Sequence, residues 1–282
     1  MIESKVIEHL LTCNQLQVEI IQFGKGKIPL VAFHGYGRTA LDFQYFQKAW
    51  NDHYTIYSIN LFYHGKSFPL DGSLTGFTLS KEEFISILNQ FLSHFNIQDF
   101  ALAGYSIGGR IALKTLELFP ERVNELWLFA PDGIKKSFWY SLATDTFLGR
   151  KLFSWVMKKP QLLKKGIDLA YNWKIIGSKL RQFAWSNIDT DEKRAQLVHV
   201  WICYRKLIPN RKNLIQLINS KEIQVYQFYG KHDKVIKPEF GISFAEEINQ
   251  AKNLYIGKCG HWTFTEEILN RASQISATQK GR

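Results

Sequence analysis

The order of apolar and polar positions along this 282-residue chain predicts strands and helices that alternate. Short apolar runs of strand type occur at residues 6–12, 15–23, 28–33, 54–59, 100–104, 123–130, 223–229 and 253–256. Between several of these runs lie segments whose apolar residues have helical spacing. One is residues 80–95, where Phe84, Ile87, Leu88 and Phe91 share one face. Further helices are predicted at residues 40–50, 107–119 and 238–248. This alternation is typical of an α/β fold with a mostly parallel sheet and helices on both of its faces.

Residues 134–219 interrupt the alternation. They contain no convincing strand pattern, and their consecutive helical patterns are dense in Trp, Phe, Lys and Arg. At about 85 residues, this stretch is longer than an ordinary loop. We therefore predict a core formed by residues 1–133 and 220–282, with a helical cap at residues 134–219 inserted after the sixth strand. The final residues, from about 277 onward, are predicted to be frayed.

Composition narrows the class of protein. Apolar residues make up 45% of the chain and charged residues 22%, which is typical of a globular protein. No apolar run reaches the ~18 residues of a membrane-spanning helix, and the first residues lack the apolar stretch of a secretory signal. The three cysteines, Cys13, Cys203 and Cys259, lie far apart and do not suggest a disulfide framework. Together these features predict a cytoplasmic protein.

The strongest chemical signal is the pattern G-x-S-x-G at residues 104–108, between a predicted strand and a predicted helix. The flanking glycines permit a sharp turn that exposes the hydroxyl of Ser106. The amino end of the following helix carries partial positive charge where an oxyanion would form. This pattern predicts Ser106 as a nucleophile, with the N–H of Ile107 as one oxyanion donor. The second donor is expected to be the N–H of Tyr36, in the Gly-rich loop that follows the strand at residues 28–33.

A serine hydroxyl needs a base, and His261 is the first candidate. It follows the last predicted strand, which agrees with the chain order Ser, Asp, His. Two other histidines, His34 and His64, lie on loops at the same end of the predicted sheet and remain weaker alternatives.

The base in turn needs an acid to orient it. Asp233 follows a predicted strand and lies between Ser106 and His261 in the chain, so it is preferred. Asp132 also follows a strand end and is the competing acid. No metal-binding spacing is present, and no G-x-G-x-x-G opens a helix, so we expect neither a metal nor a nucleotide cofactor.

Several of these segments, taken in order, resemble the α/β-hydrolase superfamily. They are His34-Gly35, residues 64–67 (His-Gly-Lys-Ser), residues 104–109 (Gly-Tyr-Ser-Ile-Gly-Gly), Asp233 and His261. The resemblance implies that the strandless stretch forms a helical cap over the active site. Members with a serine nucleophile include esterases, lipases, thioesterases, C–C bond hydrolases and some lyases, so the resemblance leaves the reaction open.

Residues 104–112 also resemble the elbow of the menaquinone-pathway synthase family, which eliminates pyruvate to form a succinyl-cyclohexadiene carboxylate. In that family the Arg after Gly-Gly helps to hold a substrate carboxylate, and this implies the same role for Arg110. The chain differs at residues 60–65, where Asn-Leu-Phe-Tyr-His-Gly replaces the family's Asp-Leu-Pro-Gly-His-Gly. A C–C bond hydrolase or lyase is therefore the alternative to a serine hydrolase that cleaves a small carboxylic ester.

Net charge is unevenly distributed. The whole chain has a net charge of +11, but residues 134–219 contain 17 basic and 5 acidic residues, so the cap carries +12 and the remainder −1. The cap could attract an anionic small-molecule substrate or contact an anionic membrane surface, or its charges could simply be solvated. Nucleic acid is the least expected partner, because no binding module is visible. Side chains predicted to bind substrate are Arg110 and the aromatic residues Tyr105, Trp139, Tyr140, Trp201 and Trp262.

Overall fold

The computed structural model describes residues 6–50, 53–70, 76–135 and 137–279, apart from the side chains at positions 48, 139, 179, 180, 183, 251 and 279. The strands are β1 (Ile7–Cys13), β2 (Leu16–Gly24), β3 (Ile28–Phe33), β4 (Tyr54–Ile59), β5 (Phe68–Pro69), β6 (Phe100–Tyr105), β7 (Val123–Phe129), β8 (Gln224–Gly230) and β9 (Leu254–Gly257). The α-helices are α1 (Gln47–Trp50), α2 (Lys81–His94), α3 (Ile107–Leu118), α4 (Phe138–Thr144), α5 (Phe147–Met157), α6 (Pro160–Asn172), α7 (Ser178–Ser186), α8 (Asp191–Cys203), α9 (Arg211–Ser220), α10 (Pro238–Glu247) and α11 (Glu266–Gln279). Two 3₁₀ helices span Ala40–Phe46 and Ala251–Asn253.

The strands form one sheet in the order β1-β2-β4-β3-β6-β7-β8-β9, and the short β5 pairs with β2. Strand β2 pairs antiparallel with β1, β4 and β5. The neighbours in the series β4-β3-β6-β7-β8-β9 all pair in parallel. The sheet therefore confirms the predicted α/β class with mostly parallel strands. Because all of these parallel strands run the same way, their carboxyl ends meet at one edge of the sheet.

Both faces of the central strands are buried. One face carries Trp127 and Phe129 of β7, which pack with Phe46 and with Phe264 and Ile268 near the last helix. Leu126 and Leu128, at alternate positions of the same strand, point to the opposite face and have no exposed surface. Helices must therefore cover the sheet on both sides, as the near-continuous apolar runs predict.

The chain divides into two compact units. The first comprises residues 1–71, 80–135 and 207–282, and the second comprises residues 72–79 and 136–206. The second unit contains helices α4–α8, and no strand occurs among its described residues. That it caps the site stays a prediction.

Helix α9 lies in the first unit, although the sequence pattern assigns it to the cap. Its side chains Leu214 and Ile218 are buried, and Asn210 and Asn213 donate hydrogen bonds from a backbone N–H and a side-chain amide to the Glu117 carboxylate of α3. These contacts join α9 to the core, so the second unit ends at residue 206 instead of 219.

Two local predictions differ from the structure, and one short strand was not predicted. Residues 40–46 are a 3₁₀ helix followed by the single turn of α1, because Ala40, Phe43 and Phe46 repeat every three residues and all reach the core. Strand β5 has only two residues, too few for its pattern to be visible. Helix α11 continues to residue 279, past the start of the predicted frayed segment, because Ile268, Ala272 and Ser276 on its inner face remain buried. The rest of that segment, residues 280–282, lies outside the described residues. Among the described residues, no helix is long and apolar enough to cross a membrane.

Candidate active site

Ser106 lies at the sharp turn between β6 and α3. Its φ of 54° falls in the left-handed region, which is strained for a residue with a side chain. Its backbone N–H donates to Phe129 O at 3.0 Å, and its carbonyl oxygen accepts from the N–H of Gly109 and of Asp132, each at 2.9 Å. These bonds hold the turn in a conformation that the serine alone would not prefer.

The glycines on either side of Ser106 are required by close backbone packing. A Cβ on Gly108 would lie 2.0 Å from the carbonyl oxygen of Phe33, and one on Gly104 would lie 2.4 Å from the carbonyl oxygen of Gly108. Neither neighbour is a flexible side chain that could move away. The G-x-S-x-G pattern therefore reflects the close contacts of the start of α3 with the ends of β3 and β6.

The structure brings Ser106, His261 and Asp233 together within the first unit. Nε2 of His261 lies 3.0 Å from Oγ of Ser106, and Nδ1 of His261 lies 2.7 Å from Oδ2 of Asp233. Since a carboxylate only accepts hydrogen bonds, Nδ1–H of His261 donates to Asp233, which leaves Nε2 as the acceptor for the Ser106 hydroxyl. The side chain of Asp233 is fully buried, whereas that of His261 is 12% exposed.

Local hydrogen bonds hold Asp233 and His261 in position. Oδ1 of Asp233 accepts from the N–H groups of Val235 at 2.7 Å and Ile236 at 2.9 Å, in the turn after β8. The hydroxyl of Tyr105 donates to the carbonyl oxygen of His261 at 3.2 Å. The second carboxylate oxygen of Asp233 is thus left to face the imidazole.

The competing acid, Asp132, has a different partner. Its carboxylate forms an ion pair with the guanidinium of Arg110, and it also accepts the N–H of Gly133 at 2.7 Å. The side chain of Arg110 is only 4% exposed. Asp132 therefore serves as the counter-ion of the buried Arg110. The carboxylate that Arg110 binds in this structure is that of Asp132, whereas the sequence predicted a substrate carboxylate.

The two alternative histidines hold loops at the sheet edge. His34 Nδ1–H donates to Gly35 O at 2.7 Å and its Nε2 accepts from Leu61 N–H at 3.0 Å. His64 Nδ1–H donates to Phe62 O at 3.2 Å, and its Nε2 accepts from Gly37 N–H at 3.0 Å. Both nitrogens of each ring are thus engaged by backbone groups, so neither ring has a nitrogen left to accept the hydroxyl proton of Ser106.

Burial keeps both of these imidazoles neutral. It lowers the pKa of His64 to about 4 and holds the pKa of His34 well below its ordinary value, with a further lowering from the neighbouring His64. The two rings lie 4.8 Å apart, edge to face. A proton on either ring would place positive charge beside the other in a buried space.

Tyr36 lies in the loop that these histidines hold. Gly35 passes so close to the serine that a Cβ there would lie 2.6 Å from the ring of Tyr105 and 3.4 Å from Cβ of Ser106. Ile107 is the first residue of α3, where an N–H has no intrahelical acceptor. The two predicted oxyanion donors therefore belong to segments that flank Ser106.

The aromatic residues that the sequence predicts to bind substrate are divided between the two units. Tyr105 is buried, and its ring centroid lies 5.4 Å from those of both His261 and Trp262. Tyr140 and Trp201 lie in the second unit, where the Tyr140 hydroxyl donates to Trp201 O at 2.9 Å and the rings lie 5.1 Å apart. The backbone of Trp139 is in α4, but its side chain lies outside the described residues.

Sequence reasoning missed Arg38 and the pair Glu19 and Asn60. The guanidinium of Arg38 lies 4.0 Å above the ring of Trp262 and forms two hydrogen bonds to Asp42, at 2.6 and 2.9 Å. Asn60 donates to the buried Glu19 carboxylate at 2.6 Å and accepts the N–H of Ala40 at 2.7 Å. The available signal was Asn60 itself, an amide where the resembling family has an aspartate.

Comparison with characterised proteins places these features in one family. Residues 28–167 match the family described as alpha/beta hydrolase fold. An esterase from Exiguobacterium antarcticum has a similar structure, with a TM-score of 0.63 and 19% sequence identity over 97% of this chain and 100% of that chain.

Two sequence relatives carry hydrolase names. The chain is 24% identical over 180 residues to a 2-hydroxy-6-oxononadienedioate/2-hydroxy-6-oxononatrienedioate hydrolase of Comamonas testosteroni, a match that spans 62% of this chain and 61% of that protein. It is 24% identical over 226 residues to a putative esterase/lipase of Haemophilus influenzae, covering 78% of this chain and 72% of the relative. Taken with the sheet order and the serine turn, these matches establish that the chain belongs to the α/β-hydrolase superfamily.

Proposed function

We propose that this protein is a serine hydrolase that cleaves a small carboxylic ester through an acyl-enzyme. The observation that carries the proposal is the continuous hydrogen-bonded chain from Oγ of Ser106 through the imidazole of His261 to the carboxylate of Asp233. Such a chain is the arrangement that converts a weakly nucleophilic hydroxyl into an attacking group.

In the first step, Oγ of Ser106 attacks the ester carbonyl carbon while Nε2 of His261 takes the hydroxyl proton. The imidazolium that results keeps its Nδ1–H directed at Asp233, whose negative charge stabilises it. The buried carboxylate is held by the N–H groups of Val235 and Ile236, so it meets the imidazolium in a preset position. Little rearrangement is then needed as charge develops.

The carbonyl oxygen becomes an oxyanion in the tetrahedral intermediate. The N–H groups of Ile107 and Tyr36 are the proposed donors to it, and the amino end of α3 adds partial positive charge. His64, through its bond to Gly37, and His34, through its bond to Gly35, keep the loop of Tyr36 in place. Collapse of the intermediate gives the alcohol, which leaves with the proton from His261.

The second half of the reaction repeats these steps with water. Nε2 of His261 takes a proton from a water molecule, and the hydroxide attacks the acyl carbon bonded to Ser106. The serine leaves with the proton from His261, which releases a carboxylic acid and restores the starting state. No cofactor enters this sequence, and its proposed substrate is a small molecule.

A C–C bond hydrolase is the second candidate, and it is supported by the relative from Comamonas testosteroni. The lyase form of this alternative requires Arg110 to hold a substrate carboxylate. The ion pair between the buried Arg110 and Asp132 argues against that role, because a substrate would have to displace a carboxylate already in place. We therefore favour ester cleavage over elimination. A cytoplasmic location stays a prediction.

The test combines covalent labelling with turnover. A fluorophosphonate probe should label the folded protein at Ser106, and the S106A variant should take up no label, while the matched variant S220A, at an exposed serine of α9, should label normally. A panel of chromogenic esters of graded chain length should then be hydrolysed by the wild type and not by S106A. Absence of label at Ser106 would refute the proposal. Labelling combined with turnover of a 2-hydroxy-6-oxo-dienedioate, and of no ester, would favour the second candidate.

A further inference from the structure

A pocket lies wholly within the second unit, and no step of the proposed reaction uses it. Its volume is about 480 Å³. Four cationic side chains line it, together with the hydroxyls of Thr78 and Ser154 and two aromatic rings. The cationic residues are Arg150, Lys151, Lys158 and Arg205. This combination of positive charge and hydroxyl donors fits an anion that has several acceptor oxygens.

One face of α5 supplies most of the lining. The lining residues of this helix and its C-cap follow one another at spacings of one or three residues: Phe147, Arg150, Lys151, Ser154, Trp155 and Lys158. Residues at these spacings project from one side of a helix. Thr78 and Arg205, from other segments, also line the pocket, and Nε of Arg205 donates a hydrogen bond of 3.3 Å to the hydroxyl of Thr78.

The four positive charges of the pocket lie close together. Within the part of the chain that the structure describes, no carboxylate lies within 4.0 Å of any of the four cationic groups. Arg150 instead donates to the carbonyl oxygens of Thr144 at 3.0 Å and Asp145 at 3.2 Å. Burial and the charge of Arg150 both lower the pKa of Arg205, although Asp145 partly offsets this. Like charges held together in this way gain from a bound anion.

The same helix exposes large apolar side chains next to the pocket. Leu148 is 76% exposed and Leu152 is 61% exposed, one turn apart on α5, and Trp155 at the pocket rim is 51% exposed. Helix α6 continues the pattern with exposed Leu162 and Leu169. Neither helix has a fully buried side chain. Apolar residues this exposed, beside lysines, are typical of helices that lie in a lipid interface.

We propose that the pocket beside α5 binds the phosphate headgroup of an anionic phospholipid while the exposed apolar face of α5 enters the surface of the bilayer. Both parts of the surface are needed for this occupant. A free phosphate would use the cations but leave Leu148 and Leu152 in water, whereas a neutral bilayer would bury the leucines but leave the cations without an anion. Residues 136–206 of the second unit contain 14 basic and 5 acidic residues, and their net charge of +9 complements that of an anionic bilayer.

The experiment is co-sedimentation of the full chain with vesicles of phosphatidylcholine alone or mixed with phosphatidylglycerol. The wild type should bind the mixed vesicles and not the neutral ones. The variant R150Q/R205Q should bind about 30-fold more weakly, from about 1 kcal/mol per cation near the surface. The matched variant K25Q/K27Q, which loses the same charge on the turn between β2 and β3, should bind less than about twofold more weakly. The variant L148S/L152S should also lose binding to the mixed vesicles.

A second pair keeps the test decisive if R150Q/R205Q fails to fold. Lys151 and Lys158 are exposed, so K151Q/K158Q removes pocket charge with little cost in stability. Equal losses for the pocket pairs and K25Q/K27Q would overturn the proposal, because general attraction would then account for binding. Binding of inorganic phosphate or glycerol phosphate at the pocket, without binding to mixed vesicles, would overturn it in favour of a soluble anion.

Discussion

Nε2 of His64 accepts the backbone N–H of Gly37 at 3.0 Å, within the loop that also carries Tyr36. The bond exists only while Nε2 is unprotonated, because a protonated nitrogen would face the N–H of Gly37 as a second donor. Burial lowers the pKa of His64 to about 4, so the ring is neutral in the folded protein across the physiological range. A neutral imidazole therefore acts as a fixed acceptor for this loop.

This relationship predicts loss of stability in mild acid. When unfolded, His64 should titrate near its ordinary value of about 6.5, so below that pH the unfolded chain binds more protons than the folded one. Stability that is fully present above about pH 6.5 should fall progressively toward pH 4, by up to about 3 kcal/mol. Urea unfolding at a series of pH values should reveal this slope. The variant H64Q, which does not titrate, should be less stable at neutral pH but should lose less stability between pH 6.5 and 4; an unchanged slope would contradict this role of His64.

Much of the fold and of the candidate site could be predicted from the sequence, for physical reasons that particular residues show. Ser106 stands at a turn whose glycines cannot carry a Cβ, because it would lie only 2.0 or 2.4 Å from a backbone carbonyl oxygen, and such packing imposes a recognisable local pattern. Asp233 and His261 follow strands whose carboxyl ends share one sheet edge, so chain order alone indicates that they lie close together.

Other features depended on partners that are distant in the sequence. The pairing of Asp132 with Arg110 could not be read from either residue, because both aspartates follow strand ends. The assignment of α9 to the first unit depends on its contact with Glu117 of α3, which no local pattern records. The exposure of Leu148 and Leu152 was likewise invisible, since an amphipathic pattern does not say whether its apolar face is covered.

The two aspartates should respond differently to the same substitution. D233N keeps the shape of the side chain but removes the charge that stabilises the His261 imidazolium, so kcat should fall roughly 10³–10⁴-fold with little change in thermal stability. D132N removes the negative charge beside the buried guanidinium of Arg110, and it should cost about 3 kcal/mol of stability. Its kcat below the unfolding temperature should stay within about tenfold of the wild type. Kinetics paired with thermal unfolding would separate the two effects, and the reverse pattern would assign the catalytic carboxylate to Asp132.

Arg38 should act as a positioning residue for the segment that carries His261. The guanidinium of Arg38 stacks on Trp262, which directly follows His261 in the chain, and two hydrogen bonds to Asp42 hold it there. R38K keeps the charge but loses the planar stack and the two-pronged bond, and we expect kcat to fall about threefold to tenfold at nearly constant KM. The control R271K alters an exposed arginine of α11 and should leave both constants unchanged. An equal effect of the two substitutions would show that Arg38 does not position the histidine.

Two glycine-to-alanine substitutions should change stability in opposite directions. The added methyl of G108A would lie 2.0 Å from the carbonyl oxygen of Phe33 and 2.5 Å from that of His34, and neither backbone group can move without displacing β3. We expect a loss of at least about 3 kcal/mol and reduced fluorophosphonate labelling, because the turn at Ser106 must shift. At Gly166, within α6, nothing lies within 4 Å of the added methyl, so G166A should gain about 0.5–1 kcal/mol from lower unfolded-state entropy. Denaturant unfolding of both variants measures the contrast, and a G108A protein as stable as G166A would exclude close backbone packing at this turn.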